Sequence, residues 1–345
     1  MYNMVDWLIV GQASGSGDTQ ILVKATPNTE RDDRDTNLIL SGITKSITIP
    51  VTQAPSDENK YLTFKILSDG DVGFYDSDYT DTPPFIEIQY SKNGGEWVRI
   101  IAQFEGYTPQ INVVAGDEIR FKGYNPSYYE AYFTEEHKPF RCHFRTTAYF
   151  NVEGNIMSLV YGDTSSDILT SENNFRMLFT QNRIVSAEKL VLPSKTLTYG
   201  CYCGMFMGCT SLTTPPELPA TSLAEGCYST MFMGCTSLTT PPELPATTLA
   251  DSCYSQMFDS CTGLTTAPEL TATTLARRCY YWMFIHCSNL NYIKCLAIDI
   301  SAFDCTYHWL DDVSSSGTFI KNVNMISWPS GSSGIPTGWT VEDAT

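Results

Sequence analysis

The most reactive side chains of this 345-residue chain are its 12 cysteines, 11 of which follow residue 200. Regularly spaced thiols can form disulfides, bind a metal ion or fill a hydrophobic core. Nine of the cysteines form two columns with a period of 26 residues: Cys201, Cys227, Cys253, Cys279 and Cys305 in the first, and Cys209, Cys235, Cys261 and Cys287 in the second.

The spacing favours buried thiols over cross-links. Cys227 and Cys235 lie eight positions apart, about 12 Å along a helix, which is too far for a disulfide. Stacked units bring equivalent cysteines near each other, but a column of five cannot pair off. We therefore predict a reduced core ladder and free thiols for all 12 cysteines. One or two bridges remain an alternative. A metal site is a weaker one, because no histidine or C-x-x-C spacing accompanies the columns.

An acidic segment, DGDVGFYDSDYTD, is a weak calcium candidate. Its carboxylates are Asp69, Asp71, Asp76 and Asp78, followed by Asp81. Their spacing departs from the EF-hand pattern, so a solvated polar loop is the alternative and the one we favour. We predict no cofactor and no firm metal site.

A tyrosine cluster, YNPSYYEAYF, is the candidate ligand or interface surface: Tyr124, Tyr128, Tyr129 and Tyr132. Tyrosines combine a large flat face with a polar tip, which suits sugar stacking or a protein interface. Packing within the domain is the alternative that we favour.

Catalytic motifs are missing from the sequence. It contains no G-x-S-x-G, H-E-x-x-H, P-loop or G-x-G-x-x-G pattern. The four histidines, at 137, 143, 286 and 308, have no catalytic partners that the sequence places beside them. We expect a protein that is not an enzyme.

The elements that position the thiols are internal repeats. Four 26-residue segments align without gaps, starting at Leu192, Leu218, Leu244 and Leu270. A fixed period of this length predicts a solenoid. Within one unit the apolar residues follow steps of 4, 1, 3, 1 and 3, which predicts a short helix: Leu249, Cys253, Tyr254, Met257, Phe258 and Cys261. A short strand at 264–266 follows, and the stacked strands would form one parallel sheet.

The pattern C-Y-x-x-M-F-x-x-C-T-x-L-T-T-x-P-E-L-P-A-T-T-L resembles BspA-type leucine-rich repeats of gut Bacteroidetes surface proteins and their phages. The resemblance covers roughly residues 170–310. It implies an α/β leucine-rich-repeat solenoid at 192–310 with an N-terminal cap at 161–191. The final segment, 311–345, resembles the C-terminal cap of that group. There Phe319, Ile320, Trp328, Ile335 and Trp339 would cover the last unit.

Residues 1–56 predict β-strands and resemble the second half of a BACON domain, an immunoglobulin-like sandwich. The motif is W-L-x-V-x-x-x-S-G-S-G-D followed by S-G-x-T-K-S-I-T-I-x-V-T-Q-A. Half a sandwich leaves an apolar face uncovered. The chain would be a fragment, or the half-domain would dock on its neighbour, or it would pair with strands of another chain. The candidate attachment surface is Trp7, Leu8, Ile21 and Val23.

Residues 57–160 predict a second β-sandwich module. Alternating strands such as YLTFKIL and EIRFK are separated by turns at Asn93-Gly94-Gly95 and Ala115-Gly116-Asp117. The predicted fold class is therefore multi-domain: two all-β sandwich-like modules, then the α/β leucine-rich-repeat solenoid with its C-terminal cap.

Composition limits the partners. The formal net charge of −17 disfavours nucleic acid, because phosphate binding depends on lysine and arginine. No apolar run is long enough to span a membrane. The N-terminus lacks the basic and apolar regions of a signal peptide, so we expect none.

These features together favour a structural and binding protein. The resemblance implies a phage virion component on the virion surface: a head or tail fibre or a decoration protein that adheres to host surface, glycan or mucin. Its partners would be other virion proteins or itself, through the N-terminal half-domain. The alternative is an adhesin or carbohydrate-binding protein on the bacterial cell surface.

Overall fold

The structure is a computed structural model that describes residues 8–10, 23–25, 34–41, 46–53, 60–76, 86–104, 111–125, 142–164, 166–169 and 171–344. The chain divides into two compact units, Met1–Lys60 and Tyr61–Thr345. Among the described residues, no helix is both long and apolar enough to cross a membrane.

The first unit contains two antiparallel strand pairs. β1 (Leu8–Val10) pairs with β2 (Val23–Ala25), and β3 (Arg34–Ser41) pairs with β4 (Ser46–Gln53). The β character predicted for residues 1–56 is therefore present in these four segments.

The second unit begins with two sheets. Their strands are β5 (Leu62–Ile66), β6 (Gly70–Asp76), β7 (Glu87–Lys92), β8 (Val98–Ile101), β9 (Gln103–Phe104), β10 (Ile111–Val113), β11 (Glu118–Gly123), β12 (Cys142–Thr146), β13 (Phe150–Asn155), β14 (Ile184–Ser186) and β15 (Leu190–Val191). One sheet has the order β10-β6-β12, with β9 beside β6. The other has the order β14-β13-β5-β11-β7-β8, with β15 beside β13.

Phenylalanines from both sheets form the core between them. Phe64 of β5 lies 4.9 Å from Phe144 of β12, measured between ring centroids, and 4.8 Å from Phe121 of β11. All three side chains are fully buried. Alternation of buried and half-exposed residues along β11 and β12 gives each sheet one apolar face, and the two apolar faces pack together.

The repeats of the second unit form six stacked coils, which we call the repeat stack (residues 173–312). Hydrogen bonding alternates along each coil. The N–H of Gln256 donates to the Tyr281 carbonyl of the next coil at 2.8 Å, whereas the N–H of Met257 donates three residues back, to Tyr254, at 3.2 Å. Successive residues thus alternately join neighbouring coils and close local turns.

Every fourth residue of a coil has left-handed backbone. In the third complete unit φ is 53° at Ser252, 55° at Gln256 and 61° at Ser260. The first complete unit carries glycine at the matching positions: Gly200, Gly204 and Gly208, with φ of 58°, 62° and 72°. A left-handed residue at every fourth position interrupts right-handed winding, so these segments are not α-helices.

The predicted α/β leucine-rich-repeat solenoid is therefore wrong. The structure is 27% strand and 2% helix. The one α-helix among the described residues is α1 (Ser158–Tyr161), and it lies outside the repeats. The predicted parallel sheet is also missing from most of the repeats, where neighbouring units share isolated bridges such as Thr266 to Tyr292. Prolines such as Pro268 lack the N–H that a continuous ladder needs.

Two aromatic columns run through the repeat stack. Phe179, Phe206, Phe232, Phe258 and Phe284 stack with centroids 5.5–5.7 Å apart. Tyr202, Tyr228, Tyr254 and Tyr280 stack at 5.8–6.3 Å, with Phe175 before them and Trp309 after them. These rings are almost completely buried, so the repeated residues form one core from end to end.

The C-terminal segment covers the last coil. β16 (Tyr292–Cys295), β17 (Thr318–Lys321) and β18 (Thr340–Asp343) form a parallel sheet. Trp328 stacks on Trp309 at 5.7 Å, and Phe319 and Trp339 are buried beside them. Of the five residues predicted to cover the last unit, Phe319 and Trp328 contact Trp309, and the C-terminal cap at 311–345 stays a prediction.

The repeat stack continues into the core between the two sheets. Phe179 of the first coil stacks on Phe144 at 5.9 Å, and the N–H of Phe144 donates to the Leu178 carbonyl at 2.9 Å. The predicted boundaries at 160/161, 191/192 and 310/311 stay predictions, because the division into two units separates only residues 1–60 from the rest.

Candidate binding surface

The predicted tyrosine surface is described at one position. Tyr124 directly follows β11, forms an isolated bridge with Tyr161, and leaves 76% of its side chain exposed. Tyr128, Tyr129 and Tyr132 lie outside the described residues. The cluster therefore stays a prediction.

The acidic segment is partly a strand. Asp71 and Asp76 lie in strand β6, in which Val72 and Phe74 are buried in the core. The solvated-loop interpretation is therefore wrong for these two aspartates. The exposed Asp69 accepts a hydrogen bond from the Ala115 N–H at 3.0 Å. Asp78 lies outside the described residues, as does Asp81. The described part of the chain contains no group of three or more His, Cys, Asp or Glu side chains arranged to hold a metal ion, and the calcium candidate stays a prediction.

The predicted attachment residues fall in the first unit. Leu8 begins β1 and Val23 begins β2, which pair antiparallel. Trp7 and Ile21 lie outside the described residues. The attachment role stays a prediction.

The cysteine columns are buried and the thiols are unpaired. In the second column each thiol donates to the carbonyl of a phenylalanine one unit earlier: Cys235 to Phe206 at 3.2 Å, and Cys261 to Phe232 at 3.0 Å. Burial raises the pKa of Cys287 to about 12. A thiolate is therefore strongly disfavoured at neutral pH, and these cysteines serve as core residues and hydrogen-bond donors.

The most perturbed carboxylate braces two turns. Asp117 accepts hydrogen bonds from Lys92 at 2.8 Å, from the Val114 N–H at 2.9 Å and from the Asn93 amide at 2.7 Å. These donors, Lys92 first, lower the pKa of Asp117 to about 2. They tie the turn at 93–95 to the turn at 115–117, which is a structural role.

A histidine joins three units of the stack. His286 Nδ1 lies 3.1 Å from Oδ1 of the buried Asp259, and His286 Nε2 lies 3.6 Å from Asp312. Ser260 Oγ donates to the same Asp259 oxygen at 2.8 Å. In a serine hydrolase the histidine lies between the serine and the aspartate. Here the aspartate lies between the other two, so the trio cross-links the coils and does not activate the serine.

The outward side chains change along the stack. The column of Phe303 holds Tyr199, Glu225, Asp251 and Arg277 in the preceding units, and the column of Tyr307 holds Cys203, Ser229, Ser255 and Tyr281. The second and third complete units thus carry one acidic and one small residue at these two positions, whereas Tyr281, Phe303 and Tyr307 bring aromatic rings together at the end of the stack. We call Arg278, Tyr281, Trp282, Phe303 and Tyr307 the aromatic patch.

Arg278 lies at the centre of the aromatic patch. Its guanidinium carbon is 5.6 Å from the Tyr281 ring centroid and 5.5 Å from that of Phe303. Its Nε lies 3.4 Å from an oxygen of Asp304. Arginine between two rings contributes cation–π attraction, and the carboxylate fixes the plane of its remaining donors.

The rings of the patch are partly open to solvent. Tyr281 stacks on Trp282 at 5.0 Å and on Tyr307 at 5.3 Å. Tyr307 exposes 38% of its side chain and Phe303 exposes 62%. Sequence reasoning missed this patch because it compared the units for what they share. Comparison of the columns that differ would have found it.

The comparisons with known proteins concern the first unit. Residues 2–54 match the model of the BACON family, described as "Putative binding domain, N-terminal". No curated protein and no solved structure matches the chain. The BACON resemblance is thus confirmed for this segment, whereas nothing in the comparisons supports the BspA-type resemblance or a phage origin.

Proposed function

We propose that this protein is a non-enzymatic binding protein that presents the aromatic patch to a surface ligand. The observation that carries this proposal is the exposure of Phe303 and Tyr307, whose columns hold acidic or small residues in the second and third complete units. Exposed clustered aromatics are characteristic of interaction sites. The remaining coils provide a rigid support, because their rings stack in continuous buried columns.

The described chemistry supports a non-enzymatic role. The thiols of Cys209, Cys227 and Cys287 are buried, and burial raises the pKa of each to about 12, which disfavours the nucleophilic thiolate. His286 contacts carboxylates on both ring nitrogens, and His308 contacts Asp311.

For the biological setting we propose a virion component of a phage that infects gut Bacteroidetes, a fibre or decoration protein on the virion surface. The ground for this setting is the sequence resemblance of the repeats and of residues 1–56 to proteins of those organisms and their phages, whereas the family match supports the binding role alone. The eleven buried cysteines after residue 200, which form no disulfide, suit assembly in a reducing compartment. An adhesin or carbohydrate-binding protein of the bacterial surface is the alternative.

Within this proposal, residues 1–60 attach the protein to its assembly or to a second copy, and Trp7, Leu8, Ile21 and Val23 supply the apolar contacts. This unit and Tyr61–Thr345 are separate compact units, so residues 1–60 can be removed at the boundary between them. A chain of residues 61–345 should stay folded, with the melting temperature of the repeat stack unchanged.

The attachment role is tested by sedimentation of the full chain and of residues 61–345. The full chain should sediment as an oligomer or bind its assembly partner, and the shortened chain should be a monomer. If both sediment alike, the first unit does not attach, and the bacterial-surface alternative is favoured.

The binding role is tested with immobilised gastric mucin and with intact Bacteroidetes cells. The full chain should be retained by at least one of the two surfaces at about 0.15 M salt. Retention on neither surface contradicts the proposed function.

A further inference from the structure

We propose that the aromatic patch is a binding site for a neutral carbohydrate, with sugar rings packed on Phe303 and Tyr307. This inference rests on the proposed binding function and assigns its site and ligand class. Its first support is shape: two aromatic side chains lie four residues apart on one coil, and each has ring surface open to solvent. The apolar C–H faces of a sugar ring pack well on such surfaces.

The second support is the paired polar group beside the rings. Sugar hydroxyls donate and accept hydrogen bonds, so a sugar site needs both kinds of partner. Arg278 contributes guanidinium donors, and Asp304, which holds its Nε at 3.4 Å, contributes carboxylate acceptors. Stacking of Arg278 between Tyr281 and Phe303 keeps these donors in place before a ligand arrives.

The third support is charge, which selects a neutral ligand. Asp304 compensates Arg278 within the patch, and Asp251 lies one unit before Arg277 in the column of Phe303. The chain as a whole carries −17, which opposes acidic polymers. Neither sign of charge therefore dominates at the patch. Sugar hydroxyl groups can accept hydrogen bonds from Arg278 and donate them to Asp304.

The repeats supply variants that the fold tolerates. Asp251 precedes Phe303 by two units in its column, and Ser255 precedes Tyr307 by two units in its own. The double variant F303D/Y307S therefore places residues in the last coil that another coil already carries. Tyr199→Asp is the matched control, because Tyr199 occupies the Phe303 column at the opposite end of the stack.

The experiment is affinity electrophoresis of the full chain through gels that contain dextran, mannan or xylan, with polygalacturonate and poly-glutamate as acidic probes. At least one neutral polysaccharide should retard the full chain and the Tyr199→Asp control equally. F303D/Y307S should weaken that retardation at least tenfold, with an unchanged thermal melt. Arg278→Ser should weaken it at least threefold, because the donor beside the rings is lost.

Four results overturn the inference. The first is that no neutral polysaccharide retards the full chain, and the second is that F303D/Y307S is retarded as strongly as the full chain. The third is that polygalacturonate retards the full chain more strongly than the neutral polysaccharides do. The fourth is that poly-glutamate retards it as strongly as they do, which would indicate a peptide-like partner. If F303D/Y307S still binds mucin or cells as the full chain does, the proposed function stands and only this site is wrong.

Discussion

Replacing Gly226 with alanine tests whether the repeat backbone is left-handed or α-helical at this position. The two conformations predict changes of opposite sign in the free energy of unfolding. In an α-helix, alanine is more favourable than glycine by about 0.8–1.0 kcal/mol, so a helical repeat would become more stable. In the structure Gly226 has φ of 62°, and a Cβ there meets no atom within 4 Å. The substitution therefore changes backbone conformational preference alone.

Left-handed backbone costs a non-glycine residue about 1–2 kcal/mol. We therefore expect Gly226→Ala to lower the free energy of unfolding by about 1 kcal/mol, and to lower the melting temperature by about 2–4 °C. Gly208→Ala should cost more, because the new Cβ would lie 3.1 Å from Cγ of Gln181. Urea unfolding followed by circular dichroism measures both changes.

The control is Gly94→Ala in the hairpin turn between β7 and β8, where φ is also positive, at 72°, and the Cβ again meets nothing within 4 Å. It should destabilise the protein by about as much as Gly226→Ala, since the cost has the same origin. A gain in stability for Gly226→Ala, with a loss for Gly94→Ala, would show that the repeats are helical after all and would refute the left-handed backbone.

The remaining predictions concern the core, the thiols and pH. Met257→Asp should destabilise the repeat stack by several kcal/mol because it buries an unpaired charge, whereas Gln256→Asp should change stability by under about 0.5 kcal/mol; equal shifts in thermal melts would contradict the assigned faces. Thiol titration of the unfolded, unreduced protein should count close to 12 free thiols, and eight or fewer would contradict the ladder. Burial lowers the pKa of His143 to about 4 in the folded state. As the pH falls, this histidine therefore takes up its proton in the unfolded state first. The free energy of unfolding should decrease between about pH 6.5 and pH 4, by an amount of the order of 2 kcal/mol. His143→Gln should remove that decrease, and an unchanged pH profile would show that His143 does not cause it.

Strands with alternating apolar residues were predictable from the sequence. The segments EIRFK and YLTFKIL correspond to β11 and β5, because alternation leaves one face of each strand for the core. β6 was missed since aspartates and glycines surround its two core residues, Val72 and Phe74. Their burial depends on the neighbouring strands β10 and β12, which local sequence does not reveal.

The repeat conformation was not predicted, although the sequence carried a signal for it. Leu249, Cys253, Met257 and Cys261 repeat at every fourth position without drift, whereas the face of an α-helix drifts because its period is 3.6. Glycine at positions 200, 204 and 208 is also unfavourable in a helix interior. The inward columns, including the thiols and rings, were predictable because burial depends on residue type more than on backbone conformation.

The inward and outward columns of the repeat stack differ in how much their residues vary, and the aromatic patch lies in outward columns. Each inward column repeats nearly the same residue, since a ring or thiol of different volume would leave a cavity between two neighbouring coils. Outward columns tolerate more variation, because most of their side chains are partly open to solvent. Large outward residues are therefore not required for stacking, and Ser255 occupies the column of Tyr307 without loss of the coil-to-coil hydrogen bonds. Stacking on Tyr281 and contact with Arg278 account for part of the surface of Tyr307 and Phe303, and the proposed sugar ligand would cover the ring surface that stays exposed.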